Sequence, residues 1–343
     1  MKKQMTLFII VLVMSLFPFC GEKNPSLGNI NKIIVVADST LWLQVEDEIR
    51  SVLARKIYTP QPEAVFSLLQ RNPDQLGRLS RVPNILLLGT LDSKGRVKEY
   101  VDNLLSEGSR QQVMQDEAFL FNKRDAWSRG QMLVVAVSKD VNDLQQDLNE
   151  HSDRLFNLFD DFVDERVKTN LFRHMEKEEL SRKFMQEHGW SIRVQPDFFV
   201  VADSVQEQLT ILERLDPQRW ISVYYEPSDD PYELSKNWML QRRADISDPF
   251  YDNDYVTDKI EITEREVDFC GFPAIQLTGV WQNDRETRPA GGPFRSYGFY
   301  DLNTQRLYLV DMAVFAPGKK KLPYLRQLDV MAQTFKTRER KKE

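Results

Sequence analysis

The chain has 343 residues and a formal net charge of −6. That length suits two domains, each long enough to bury a core. The acidic balance argues against a nucleic-acid partner, which calls for a basic surface, and against electrostatic adhesion to anionic lipid. With only Cys20 and Cys270 present, no disulfide framework is implied.

At the N-terminus, Lys2 and Lys3 precede an uncharged apolar run from Met5 to Phe19, the charge order of a secretory signal peptide. As a helix this run rises roughly 22 Å, short of the roughly 30 Å hydrocarbon core, so a permanent span is disfavoured. Cys20 stands where the run stops. The arrangement resembles a bacterial lipoprotein leader, which implies cleavage before Cys20 and its lipidation. A plain signal peptide cut near Gly21 is the competing reading. Two acyl chains give stable attachment, so the membrane is expected as a partner through an N-terminal lipid. The reading is therefore a signal peptide at 1–19 and a polar tether at 20–32. The expected location is the cell envelope, on the outer membrane facing the periplasm.

Residues 33–140 alternate strands and helices. "IIVVAD" is a β-branched strand, followed by a helix whose face is Leu41, Val45, Ile49, Val52 and Leu53. Strands are expected at 64–70, 84–90 and 131–138, an edge strand within 117–127, and helices after Pro73 and over 95–105. Over 141–188 the spacing of Val141, Leu144, Leu148, Leu155, Phe159, Phe162 and Val167 predicts a long connecting helix. Its bend is expected at Thr169–Asn170 and its stop at Gly189. The N-terminal layered α/β domain is thus placed at 33–188.

A C-terminal domain is placed at 189–336, an antiparallel sheet packed with helices. Successive strands reach "RWISVYYEP". A helix is expected from Pro231 with Asp230 as its cap. A strand pair turns at Cys270–Pro273, and a hairpin turns at "DLNTQ". An amphipathic helix bearing Leu325, Leu328, Met331, Ala332 and Phe335 closes the domain. The charged stretch 337–343 reads as a disordered tail.

"LTGVWQN", "GGPFRSYGFYD" and "APGKKKLPYLRQLDVM", in that order, are similar to a Bacteroidota lipoprotein family known only as domain-of-unknown-function family 4837. The similarity runs from "IIVVAD" to the closing helix. It implies a lipid-anchored envelope protein and supplies no chemistry. Residues 190–336 also resemble the sandwich of the photosystem subunit PsbP and its relatives, a PsbP-like sandwich by analogy only.

No nucleophile elbow and no phosphate-binding loop is present, and no cofactor is implied. His151, His174 and His188 lack metal-ligand spacing, so no metal is expected. Asp160, Asp161 and Asp164 spell D-D-x-x-D, a carboxylate cluster of the type that holds Mg²⁺. With many strands and no second cluster, an acidic helix face that binds no divalent ion is the reading. "GGP" at 291–293, between Arg288 and Arg295, offers either a weak anion cradle or a turn leading into a strand. Trp281, Gly291, Gly292, Phe294, Arg295 and Tyr297 form the candidate partner or ligand surface. Strand alternation puts Tyr297 and Phe299 on one face, Phe294, Ser296 and Tyr300 on the other. These features point to a non-catalytic binding or assembly module with a protein or small-molecule partner. The alternative is a hydrolase-like envelope enzyme whose active site the sequence does not locate.

Overall fold

The computed structural model describes residues 23–173, 175–251, 254–283 and 289–338. Residues 1–22 with Cys20, His174, Arg288 and 339–343 lie outside the described residues. No helix among those residues is long and apolar enough to cross a membrane.

The first half runs β1 (Lys32–Val36), α1 (Ser39–Leu53), the hairpin β2 (Lys56–Tyr58) and β3 (Pro62–Ala64), and β4 (Ser67–Arg71). It continues with β5 (Asn84–Thr90), α2 (Arg96–Leu104), α3 (Glu107–Met114), β6 (Leu120–Arg124), β7 (Met132–Ser138), α4 (Val141–Glu150) and α5 (Ser152–Leu171). The sheet order is β4-β1-β5-β7-β6. All pairs are parallel except β6 with β7. Alternation explains its double cover. Ile33 and Val35 enter a core with α1, α4 and α5, while Ile34 and Val36 enter a second core beneath α2 and α3. Strands buried on both faces read as unbroken apolar runs, as β5 and β7 do.

The second half begins with α6 (Glu178–Glu187), β8 (Trp190–Ser191), β9 (Phe199–Ser204), β10 (Leu209–Arg214), β11 (Gln218–Pro227) and α7 (Lys236–Phe250). β12 (Tyr255–Val256), β13 (Thr263–Phe269), β14 (Phe272–Gln282), β15 (Gly291–Asp301) and β16 (Arg306–Phe315) follow, then α8 (Leu322–Ala332) and β17 (Lys336–Thr337). The antiparallel order is β12-β14-β15-β16-β11-β10-β9, with β13 also on β14. α8 and α6 cover one face through Leu325, Leu328, Met331 and Phe184. α7 covers the other through Met239 and Ile246. Double cover is why β15 carries aromatics on both faces, with Tyr297 and Phe299 beneath α8 and Phe294 beneath α7.

Four expectations are corrected. The long helix is three helices: His151 ends α4 and precedes α5, and the chain leaves helical geometry again between Leu171 and Glu178. There Arg193 covers the Phe172 ring at 3.9 Å and Met175 takes φ +51°. Because Phe184 packs in the second core, α6 belongs with the C-terminal half. The division therefore falls before α6, not at 188. Gly189 does stop α6, at φ +82° with its N–H on the Phe184 carbonyl. The tail starts later than expected, since Lys336 and Thr337 pair with β8.

The fourth correction concerns α7. Asp230 caps only a short 3₁₀ turn at Pro231–Glu233, whereas Ser235 accepts the Trp238 N–H and caps the helix. Ser235→Ala should therefore cost about 1 kcal/mol. Asp230→Ala, which frees no helix donor of α7, should cost less. Urea melts of the two variants check the order.

Candidate functional site

The two halves meet where α5 lies against α8. Asp160 and Asp164 are four apart and so share one face of α5. On α8, Leu322 and Val330 enter the first-half core and Leu325, Leu328 and Met331 the second. Arg326 lies on the face turned to α5. Its guanidinium forks, with Nη2 on Asp160 Oδ1 and Nη1 on Asp164 Oδ1, each at 2.5 Å. It also stands over Phe66 at 5.9 Å. Glu63 of the β3 hairpin accepts the N–H groups of Lys321 and Leu322 at 2.8 and 3.3 Å. It thereby places a carboxylate at the N-terminus of α8, whose own first residue supplies no side-chain cap.

Beside this contact opens a cleft of about 630 Å³ with walls from both halves. Arg55 pairs with Asp153 at 2.7 Å and covers Phe156. Across the cleft Arg295 is bound to Asp329. Tyr297 donates to Asp329 at 2.7 Å and accepts from Gln276 at 2.8 Å. Burial first, then the Asp329 charge, pushes the Tyr297 hydroxyl up. These pairs occupy Asp153, Asp160, Asp164 and Asp329, and the walls still carry Asp161, Glu266 and Asp268 against Arg265. The cleft is therefore acidic.

Asp164 is the most perturbed carboxyl there. Burial raises it to about 7, with Asp160 and Asp329 adding to the rise and Arg326 opposing it. Burial, then Asp160 and Glu165, also raises Asp161. Because the folded value of Asp164 lies above the unfolded one, near 3.9, ionising it costs the folded state stability. That cost is absent below the unfolded value, grows between about pH 4 and 7, and stays constant above. Asp164→Asn should thus gain stability relative to the natural chain as pH rises from 4 to 8. Paired denaturation curves across that window check the sign.

Of the candidate surface residues, only Arg295 and Tyr297 reach the cleft. Trp281 is packed against Trp220 and Phe315, and Phe294 is fully buried. Gly291 and Gly292 are the first residues of β15, paired with Gln282 and Trp281 of β14. Their segment is a strand, not an anion cradle. A Cβ on Gly292 would sit 1.8 Å from the Val314 carbonyl oxygen, so this glycine serves the close approach of β16. The expected surface is thus corrected: alternation sends its members to opposite sides of a sheet covered on both faces.

Sequence reasoning missed two features. The first is Arg326, whose role depends on a partner helix more than 160 positions away. The second is His188, fully enclosed behind α6. Its Nε2 donates to Asp203 at 2.8 Å, which leaves Nδ1 to accept from Tyr225 at 3.1 Å. Asp203 also accepts from Lys183 and Thr210. Burial works to raise Asp203, but these hydrogen bonds hold it below its ordinary value. Glu187, His188 and Asp203 offer ligand atoms within 4.8 Å of one another. With Asp203 already paired to Lys183, the group is a satisfied hydrogen-bond network. Cys270 sits half-buried at the β13–β14 turn, its thiol pushed up to about 11 by burial, so it is protonated at neutral pH and a weak nucleophile.

Fold and site define a two-part protein: a doubly wound α/β half and an antiparallel α+β half, joined through a charged helix contact with an acidic cleft. Residues 177–334 match the Domain of unknown function (DUF4837) and residues 26–172 the Domain of unknown function (DUF8532). The C-terminal half is thus similar to family 4837. The resemblance read over nearly the whole chain is narrowed accordingly, its first half matching a different family.

No curated protein matches the chain. Among solved structures, a protein from Bacteroides thetaiotaomicron is similar at 9% identity and TM-score 0.28, over 46% of this chain and 48% of that one. The alignment thus spans about half the length of that relative. The Ran-binding protein Mog1p of Saccharomyces cerevisiae is similar at 12% identity and TM-score 0.29, over 43% of this chain and 90% of that one. LpqN, involved in cell envelope biogenesis of Mycobacterium tuberculosis, is similar at 12% identity and TM-score 0.27, over 43% and 81%.

Proposed function

We propose that this protein is held in the cell envelope by lipid on Cys20, on the outer membrane facing the periplasm, and works by binding rather than by catalysis. The junction cleft receives a cationic group of a partner protein or small polar ligand. The observation that carries this reading is the surplus of Asp161, Glu266 and Asp268 over Arg265 in walls drawn from both halves. A guanidinium or ammonium entering there is attracted by carboxylates, two of which, Asp161 and Asp164, have values already raised by burial. Asp161→Asn with Glu266→Gln should then reduce photo-cross-linking from a probe placed at Gln333, another cleft residue, in intact cells. The anchor is tested separately: the membrane-bound form should have the mass of a diacylated chain beginning at Cys20, and Cys20→Ser should abolish it. A mature mass without acyl groups, starting beyond Cys20, overturns the anchor and leaves the cleft reading standing.

A second reading, a hydrolase-like envelope enzyme, draws on Asp164. A carboxyl lifted to about 7 in a cleft is suited to proton transfer near neutral pH. Among the described residues no Ser, Thr, Cys or His lines the cleft, so such chemistry would rest on carboxylates. Turnover of a glycoside or peptide that disappears in Asp164→Asn would favour it.

A further inference from the structure

We infer that the end of the first half where β1, β5 and β7 begin lies on the membrane surface, with Leu27 and Trp127 among the lipid headgroups and Lys23, Lys32, Arg78 and Arg81 over their phosphates. This rests on the proposed lipid at Cys20. The stretch expected as a tether is bound to the body from Lys23 onward. Ser26 donates its N–H to the Arg129 carbonyl at 2.8 Å, Arg129 donates to that of Asn24 at 2.9 Å, and Leu27 to that of Arg81 at 2.7 Å. The Lys23 ammonium reaches the Asp125 and Ala126 carbonyls at 2.5 and 3.3 Å. Behind them the buried Ser128 and Gln131 both donate to the Ser80 carbonyl, which ties the two loops together. Cys20 stands three positions before Lys23, so the chain can part them by no more than about 11 Å. A stretch free as far as Lys32 would allow about 43 Å. A lipid on Cys20 therefore holds this end close to the headgroups.

What this end displays suits a lipid surface. Leu27 is 56% and Trp127 39% exposed, and an indole is favoured at a lipid–water boundary. Segments 23–32, 78–83 and 124–131 carry Lys23, Lys32, Arg78 and Arg81, with Asp125 as their one carboxylate. Arg124 does not add to this surplus, since Glu165 pairs with it. Lys23 and Arg81 rest on neutral carbonyls, Arg81 on that of Pro25 at 3.3 Å, so their charge is not cancelled. Lys32 and Arg78 make no ion pair among the described residues. Asp125 already accepts the Gly130 N–H at 2.5 Å. The net −6 of the chain therefore does not describe this end, which is basic. A basic patch beside an acyl-bearing residue is a second membrane signal acting with the first.

The test supplies the anchor chemically, so that it does not depend on lipidation in the cell. The chain from Cys20 onward, carrying Cys270→Ser, is coupled through Cys20 to a maleimide lipid. The vesicles are equal parts phosphatidylcholine and phosphatidylglycerol, with acyl chains brominated near the headgroup. Bromine should quench a part of the tryptophan emission that Trp127→Phe removes. Lys32→Glu with Arg78→Glu should lower that part by about fivefold or more, while a cooperative urea melt shows the fold intact. Salt should weaken it as well. Emission that brominated lipid leaves unchanged, or quenching that survives either Trp127→Phe or the charge reversal, overturns the inference even if the cellular protein carries its lipid. An acyl-free mass of the cellular protein overturns the anchor instead, and quenching in the coupled form then still supports this surface.

Discussion

Replacing Arg326 by methionine is expected to lower stability by about 3 kcal/mol, the lower end of the range for a broken buried ion pair. The side chain is 9% exposed, and its fork is shared between Asp160 and Asp164, which are 27 and 39% exposed. Methionine fills most of the volume over Phe66 but strands two carboxylates one helical turn apart. Their remaining contact with cleft water keeps the loss from being larger. Arg326→Lys should recover only part of it, since one ammonium cannot match two carboxylates in a planar fork. Adding Asp160→Asn and Asp164→Asn to the methionine variant should restore most of it. Urea unfolding followed by tryptophan fluorescence measures all three. If the triple variant remains as unstable as the single one, the loss comes from packing at the α5–α8 contact and not from stranded charge.

Gly292→Ala should be still more damaging, at about 4 kcal/mol or more, or should fail to fold in its C-terminal half. The added carbon would meet the Val314 carbonyl oxygen at 1.8 Å and the Trp281 indole nitrogen at 3.1 Å. A backbone oxygen in a ladder cannot step aside without separating strands, which is why glycine stands where another backbone approaches closely. Gly77→Ala is the control, because a Cβ there meets nothing within 4 Å; it should shift stability by no more than about 0.5 kcal/mol. A Gly292→Ala chain that melts within 1 kcal/mol of the natural one, roughly the scatter of ordinary substitutions, would mean that β16 lies farther away than described.

Much of the fold is local in origin and was legible. "IIVVAD" and "NILLLGT" are continuous apolar runs because the first sheet is covered on both faces. The edge position of "EAFLFNKRDAW" shows in its sudden polarity after Phe121. The α8 face at Leu325, Leu328 and Met331 follows from helical spacing alone, whereas Phe335, expected on the same helix, lies beyond its end. Helix ends were less legible. Asp230 and Ser235 are both good caps, and the choice between them rests on where the chain must run to lay α7 across β16. Likewise the periodicity through 141–188 persists across two breaks, since separate helices lying on related surfaces keep similar spacing.

The cleft shows the division between the two levels. Sequence alone determined the acidic stripe on α5, the amphipathic α8 and the alternation that puts Tyr297 on the α8 side of β15, because each depends on periods of a few residues. Tertiary structure alone decided that Arg326 answers Asp160 and Asp164, that Arg295 and Tyr297 converge on Asp329, and that Gly292 is a packing residue. Those outcomes depend on groups far apart in the chain, brought together by apolar burial on both faces of two sheets. Burial acts through area and carries no sequence address, so no local pattern encodes which charges will meet.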